Sequence, residues 1–76
     1  MSIQDEALAG RVRGALSQDK RLSGLPIMVR AAGGEIHLKG KVDTLEQREL
    51  VFVVVHGVLG IRGVVSDELE VREAEE

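Results

Sequence analysis

Few residues in this 76-residue chain are of the types that perform most enzyme chemistry, and none sits at a spacing that builds a reaction centre. Cysteine is absent, which removes thiolate nucleophiles, thiolate metal sites and disulfides. The two histidines, His37 and His56, fall on different elements and could hold Zn²⁺ only with carboxylate help. No metal and no cofactor are therefore expected. No serine has a histidine near it in sequence or by strand parity, so no Ser/His/Asp arrangement and no catalytic residue is expected.

The basic residues offer a different chemistry. Arg30, Lys39 and Lys41 fall on one side of an expected hairpin, where they would form a shallow anion patch for lipid phosphates. Each charge near an anionic surface is worth about 1 kcal/mol. A second reading pairs the lysines across the sheet with Glu68 and Glu70 of the last strand, for roughly 0.2 to 1 kcal/mol each. The formal net charge of -3 conceals this contrast. From Asp67 onward there are six acids and one base, whereas residues 1–66 carry nine bases and seven acids. A mildly basic body thus precedes an acidic end, and neither is extreme enough to name a nucleic-acid partner.

The segments Gly57-Val-Leu-Gly60 and Gly60-Ile-Arg-Gly63 repeat the GxxG spacing with which KH domains clamp a nucleic-acid backbone. In those domains the loop joins two helices. Here it leads into a strand, only Arg62 is basic, and an acidic segment follows. Tight-turn glycines are the better account. A KH-like nucleic-acid binder is the most distant alternative, and no nucleic-acid partner is expected.

These side chains must be positioned by elements that the pattern identifies. Residues 4–19 read as a helix with a core face of Leu8, Val12, Ala15 and Leu16, capped by Ser2 with Asp5. Residues 27–32 and 35–42 alternate with period two around Gly33-Gly34, the composition of a tight hairpin turn. Ile27, Val29 and Ala31 share one face of this hairpin with Ile36, Leu38, Gly40 and Val42. Thr44 with Gln47 marks the start of a second helix, running to about Val58. The run Val51–Val55 is β-rich in isolation, yet Val51, Val54, Val55 and Val58 form a helical stripe opposite Glu46, Glu49 and His56. A last strand spans roughly Val64 to Val71, and residues 72–76 form an acidic tail.

The second helix carries more apolar surface than one sheet needs. Stepping about 100° per residue from Val51 spreads Leu45, Leu50, Phe52, Val54, Val55, Val58 and Leu59 over roughly 220° of its circumference, against about 100° for a helix lying on a sheet. Either Leu50 with Val54, or Leu45 with Phe52 and Leu59, is then left for another copy or a partner, alongside Val53. The other reading buries the wide arc between two neighbours within the domain. Gly10 and Gly14, four apart on the first helix, would permit close helix approach, but that rule belongs to membranes.

The ordered elements resemble a BON domain, the bacterial osmotic-stress and nodulation module. The resemblance rests on Val12 and Leu16, on Ile27 and Val29, and on Gly34-x-Ile36-x-Leu38-x-Gly40-x-Val42. It continues through Arg48, Val51, Val54, Val55 and Val58, then Gly60-Ile61 with Val64, and Leu69-x-Val71. It implies an α+β fold, αββαβ, with two helices on one face of a three-stranded mixed sheet. It also implies a role at phospholipid or membrane surfaces and no enzymatic activity. Gly33, Gly34, Gly40 and Gly60 would be structural glycines. The family has one residue fewer before its closing Leu-x-Val, which implies a bulge or longer turn at Val65 or Ser66.

The length supports one domain, with its core in residues 4–71. Hydrophobic residues at 43% and charged residues at 30% are ordinary globular usage, but Phe52 is the only aromatic residue, so stacking platforms and interfacial anchors are missing. The longest apolar run, Leu50 to Val55, is six residues where a membrane span needs about 20. As written, without a signal segment, the chain reads as cytoplasmic; cut from a longer exported chain, it would be periplasmic or envelope-associated. The expected function is a non-enzymatic binding module for phospholipid or membrane surfaces. The alternative is a protein-interaction module that forms homo-oligomers.

Overall fold

The computed structural model describes residues 2–72. Its elements follow in the order α1 (Ile3–Gln18), β1 (Ile27–Ala32), β2 (Glu35–Val42), α2 (Leu45–His56) and β3 (Gly63–Val71). The three strands form one sheet in the order β1-β2-β3, with β1 antiparallel and β3 parallel to the central β2. Both helices cover the same sheet face, which makes the expected α+β αββαβ arrangement. The acidic tail, apart from Arg72, lies outside the described residues.

Local chemistry starts each helix. The Ser2 hydroxyl accepts from the Asp5 amide at 3.0 Å, and Thr44 Oγ1 accepts from the Gln47 amide at 3.0 Å. Gln47 Oε1 in turn accepts from the Asp43 amide at 2.7 Å, so the cap of α2 is reciprocal in the manner of a capping box, one residue offset. The β-rich run folds as helix because Val51 and Val55, one turn apart, are both completely buried. Burying each such side chain is worth about 1.5 to 3 kcal/mol, more than the few tenths by which helix propensity disfavours valine. The helix stops two residues earlier than expected, at Gly57, whose amide bonds to the Val53 and Val54 carbonyls.

The core is entirely aliphatic. Val12 of α1 and Val51 and Val55 of α2 meet Ile36, Leu38 and Val42 of β2, with Leu8, Ala9, Leu16, Leu22, Val29, Ala31 and Leu69 around them. Two placements differ from the sequence pattern. Ala9 is buried and Ala15 only half-buried, because α1 is rotated toward β1 and leaves Ala15 on its flank. Leu22 is buried by the turn after α1, where no periodicity could mark it.

Three glycines are fixed by backbone geometry. Gly33 and Gly34, at φ of 60° and 88°, make the two-residue turn that joins β1 to β2. Gly40 sits at φ 144° on β2, where an added Cβ would overlap the carbonyl oxygen of Pro26. That oxygen already accepts from the Lys41 amide, so it cannot move aside without breaking the ladder. Replacing Gly40 by alanine should therefore cost at least about 2 kcal/mol, the range for backbone strain and overpacking. Urea denaturation checks this, and a loss below about 0.5 kcal/mol would contradict it.

Candidate functional sites

Two surfaces remain after the core is built, and the sequence candidates distribute between them. The sheet face away from the helices is uncovered among the described residues. Strand register sets its lattice: Met28 lies beside Lys39 and Lys39 beside Glu68; Arg30 lies beside His37 and His37 beside Val65; Lys41 lies beside Glu70. Arg30, Lys39 and Lys41 are thus all exposed on one face. The two lysines alternate with carboxylates from β3 rather than standing alone. His37 Nε2 is 3.6 Å from Glu35 Oε1, which adds a third carboxylate to this face. A shallow depression of about 220 Å³ is lined by Met28, Val29, Arg30, His37, Lys39 and Glu68.

The register shift in β3 creates this arrangement. His37 pairs with Val65 and Lys39 with Glu68, so β3 advances three residues while β2 advances two, leaving Ser66 and Asp67 at the bulge. Val64 before it and Leu69 after it, an odd number of residues apart, can both face the helices. With every residue kept but no bulge, Leu69 would emerge beside Lys41 and Glu68 would turn toward the core. The bulge therefore absorbs the additional residue and keeps Glu68 and Glu70 on the open face.

The helix side holds the second surface. Leu45, Val53 and Leu59 are 54%, 68% and 86% exposed, while Leu50 and Phe52 are half-buried. The structure divides these five residues. Leu50 and Val53 line a groove of about 610 Å³ with Arg21, Thr44, Glu46, Gln47 and Glu49. Leu59 lines a separate groove of about 740 Å³ between α1 and the turn after α2, with Arg11, Gly14, Ala15, Gln18 and Val58. Leu45 and Phe52 belong to neither groove, and the Arg48 guanidinium lies 5.0 Å over the Phe52 ring. A Cβ at Gly10 or Gly14 would meet nothing within 4 Å, so no contact among the described residues requires glycine there.

A third feature was not visible in the sequence. The Asp5 carboxylate, beyond its place in the α1 cap, accepts from the amides of Gly33 at 3.2 Å and Gly34 at 3.3 Å. It fastens the start of α1 to the hairpin turn, 28 residues away in sequence. The clues were an acid in the first helical turn and a Gly-Gly turn with two unpaired amides. Only the packing of α1 along β1 joins them.

The two histidines lie on opposite layers: His37 on the open sheet face, and His56 on α2 with Nδ1 2.8 Å from the Phe52 carbonyl oxygen. No group of three histidine, aspartate or glutamate side chains among the described residues could hold a metal ion. No helix among the described residues is long and apolar enough to cross a membrane. The Gly57–Gly63 loop runs into β3, and the Arg62 amide donates to the Gly34 carbonyl at 2.8 Å.

These elements, with their hairpin and closing parallel strand, define a two-layer α+β module. The family profile of the BON domain matches residues 4–73, nearly the whole chain, and the protein belongs to the BON domain family. Members of this family act as binding or structural modules. Among solved structures the chain is similar to CdsD, a structural protein of the type III secretion system of Chlamydia trachomatis, with a TM-score of 0.69 and 19% identity. The match covers 87% of this chain and 31% of that one, so the chain spans about a third of the CdsD structure, and the likeness is one of fold. No curated protein matches the chain.

The Asp5 clamp has a pH signature. Donation from the Gly33 amide is the largest influence and, with the weaker contributions of Gly34 and Ser2, outweighs the opposing desolvation and holds the carboxyl below its ordinary 3.8. Because the folded-state value is depressed, the clamp's contribution is complete above the unfolded value and is lost as pH falls through the folded one. Asp5→Ala should therefore be less stable than the natural chain at pH 7, with the gap closing below about pH 3.8. Denaturation at pH 7, 4 and 2.5 tests this; a gap unchanged at pH 2.5 would contradict it.

Proposed function

We propose that this BON domain is a non-enzymatic interaction module that docks on a protein partner, a second copy included, through the outer side of α2. The observation that carries this reading is the exposure of Leu45 and Val53 on α2, and of Leu59 in the turn just beyond it, on the side away from the core-facing Val51 and Val55. Large aliphatic side chains so exposed in a chain with so small a core are the ones association would shield. The acids Glu46 and Glu49 rim the groove floored by Leu50 and Val53, which favours a partner surface that is apolar with basic margins.

The family resemblance suggests a phospholipid surface instead. In its favour, Arg30, Lys39 and Lys41 share one open face with no described element above them. Against it, Glu68 and Glu70 stand directly beside the lysines, so the face has alternating sign and a weak field toward an anionic bilayer. The geometry therefore supports the protein-docking reading better.

One experiment separates the two. Light scattering after size-exclusion chromatography, over a hundredfold concentration range, should show association that Leu45→Glu/Val53→Glu abolishes. Flotation with anionic and neutral vesicles should show little difference, with or without Lys39→Glu/Lys41→Glu. A clean monomer that binds anionic vesicles, and loses them on lysine reversal, would overturn the protein-docking reading in favour of the lipid one.

A further inference from the structure

The sheet has two edges, and the molecule treats them differently. On β1, the Lys41 amide bonds to the Pro26 carbonyl, so the alternate residues Ile27, Val29 and Ala31 turn their backbone groups away from β2. Those groups are partly covered. The Ile27 amide bonds back to the Leu25 carbonyl at 2.9 Å, and Arg13 of α1 donates through Nη1 to the Val29 carbonyl at 3.2 Å. With α1 packed along it, the β1 edge is blunted.

Nothing comparable protects β3. Among the described residues, no side chain and no backbone group outside β2 bonds to Gly63–Val71. Alternate backbone groups along nine residues, about 30 Å of strand, therefore face solvent. Its side chains sort by face: Glu68 and Glu70 with Val65 on the open side, Val64, Leu69 and Val71 on the helix side. No base lies within ion-pair distance of Asp67, Glu68 or Glu70 among the described residues.

We infer that the outer edge of β3 receives an extended segment of a partner protein as a fourth strand, one whose side chains alternate between basic and apolar. Backbone bonds to the open edge give the attachment. Bases on the open side meet Glu68 and Glu70, and apolar residues on the other side extend the cover over Val64 and Val71. A second copy of this chain does not meet the need: antiparallel pairing of two β3 strands sets their acids against each other, and β1 of another copy offers a blunted edge. This surface is separate from the outer side of α2, and either can fail without the other.

The test uses the ¹⁵N-labelled chain and a blocked heptapeptide of alternating valine and lysine. Titration should move amide resonances of Gly63–Val71 ahead of those of α2. Binding should weaken at least tenfold when alternate peptide nitrogens are methylated on the pairing edge. It should weaken similarly for the Glu68→Lys/Glu70→Lys chain, whose exposed substitutions leave the core intact, and for a valine-glutamate peptide. The inference is overturned if the methylated peptide binds equally well, which would leave charge attraction alone. Shifts centred on α2, or none at millimolar peptide, would overturn it as well.

Discussion

Everything in this molecule depends on one aliphatic layer, the contact of Val12, Val51 and Val55 with Ile36, Leu38 and Val42. A chain of 76 residues without tryptophan or tyrosine buries enough apolar surface to cover one side of its sheet and no more. Both helices are committed to that side. The open sheet face, the outer side of α2 and the outer edge of β3 are consequences of this one-sided core. The Asp5 clamp and Gly40 serve the same layer, the first by fixing where α1 enters it and the second by letting β2 pass close to Pro26.

The hairpin was legible because Gly33-Gly34 and a period-two pattern state the same thing locally. The helix start at Thr44 was equally plain, and the stripe of valines outweighed their β preference. What escaped depended on contacts between distant parts of the chain. Leu22 is buried by a turn, Ala9 rather than Ala15 faces the core because α1 leans on β1, and Asp5 meets Gly33 and Gly34 only in three dimensions. The bulge was foreshadowed by the extra residue, but its effect on the direction of Glu68 and Glu70 required the strand register.

The surface candidates show the same division. Arg30, Lys39 and Lys41 do share a face, as parity implied, and strand three brings acids among them. Of the apolar arc, Leu50 and Val53 line one groove, Val58 and Leu59, beyond the end of α2, line another, and Leu45 and Phe52 line neither. Charge and exposure together describe a module that is apolar on its helix side, of mixed sign on its sheet side and acidic along its free edge. The proposed docking on a protein partner rests on this distribution of charge and exposure.

The claim that one edge of the sheet stays open is tested most directly by residue-resolved amide hydrogen exchange in the free chain. The account predicts slow exchange throughout β2, which is bonded on both sides, and an alternation of slow and fast amides along Gly63–Val71. Uniformly slow exchange along β3 at low protein concentration would mean that its outer edge is already covered, and would contradict the account.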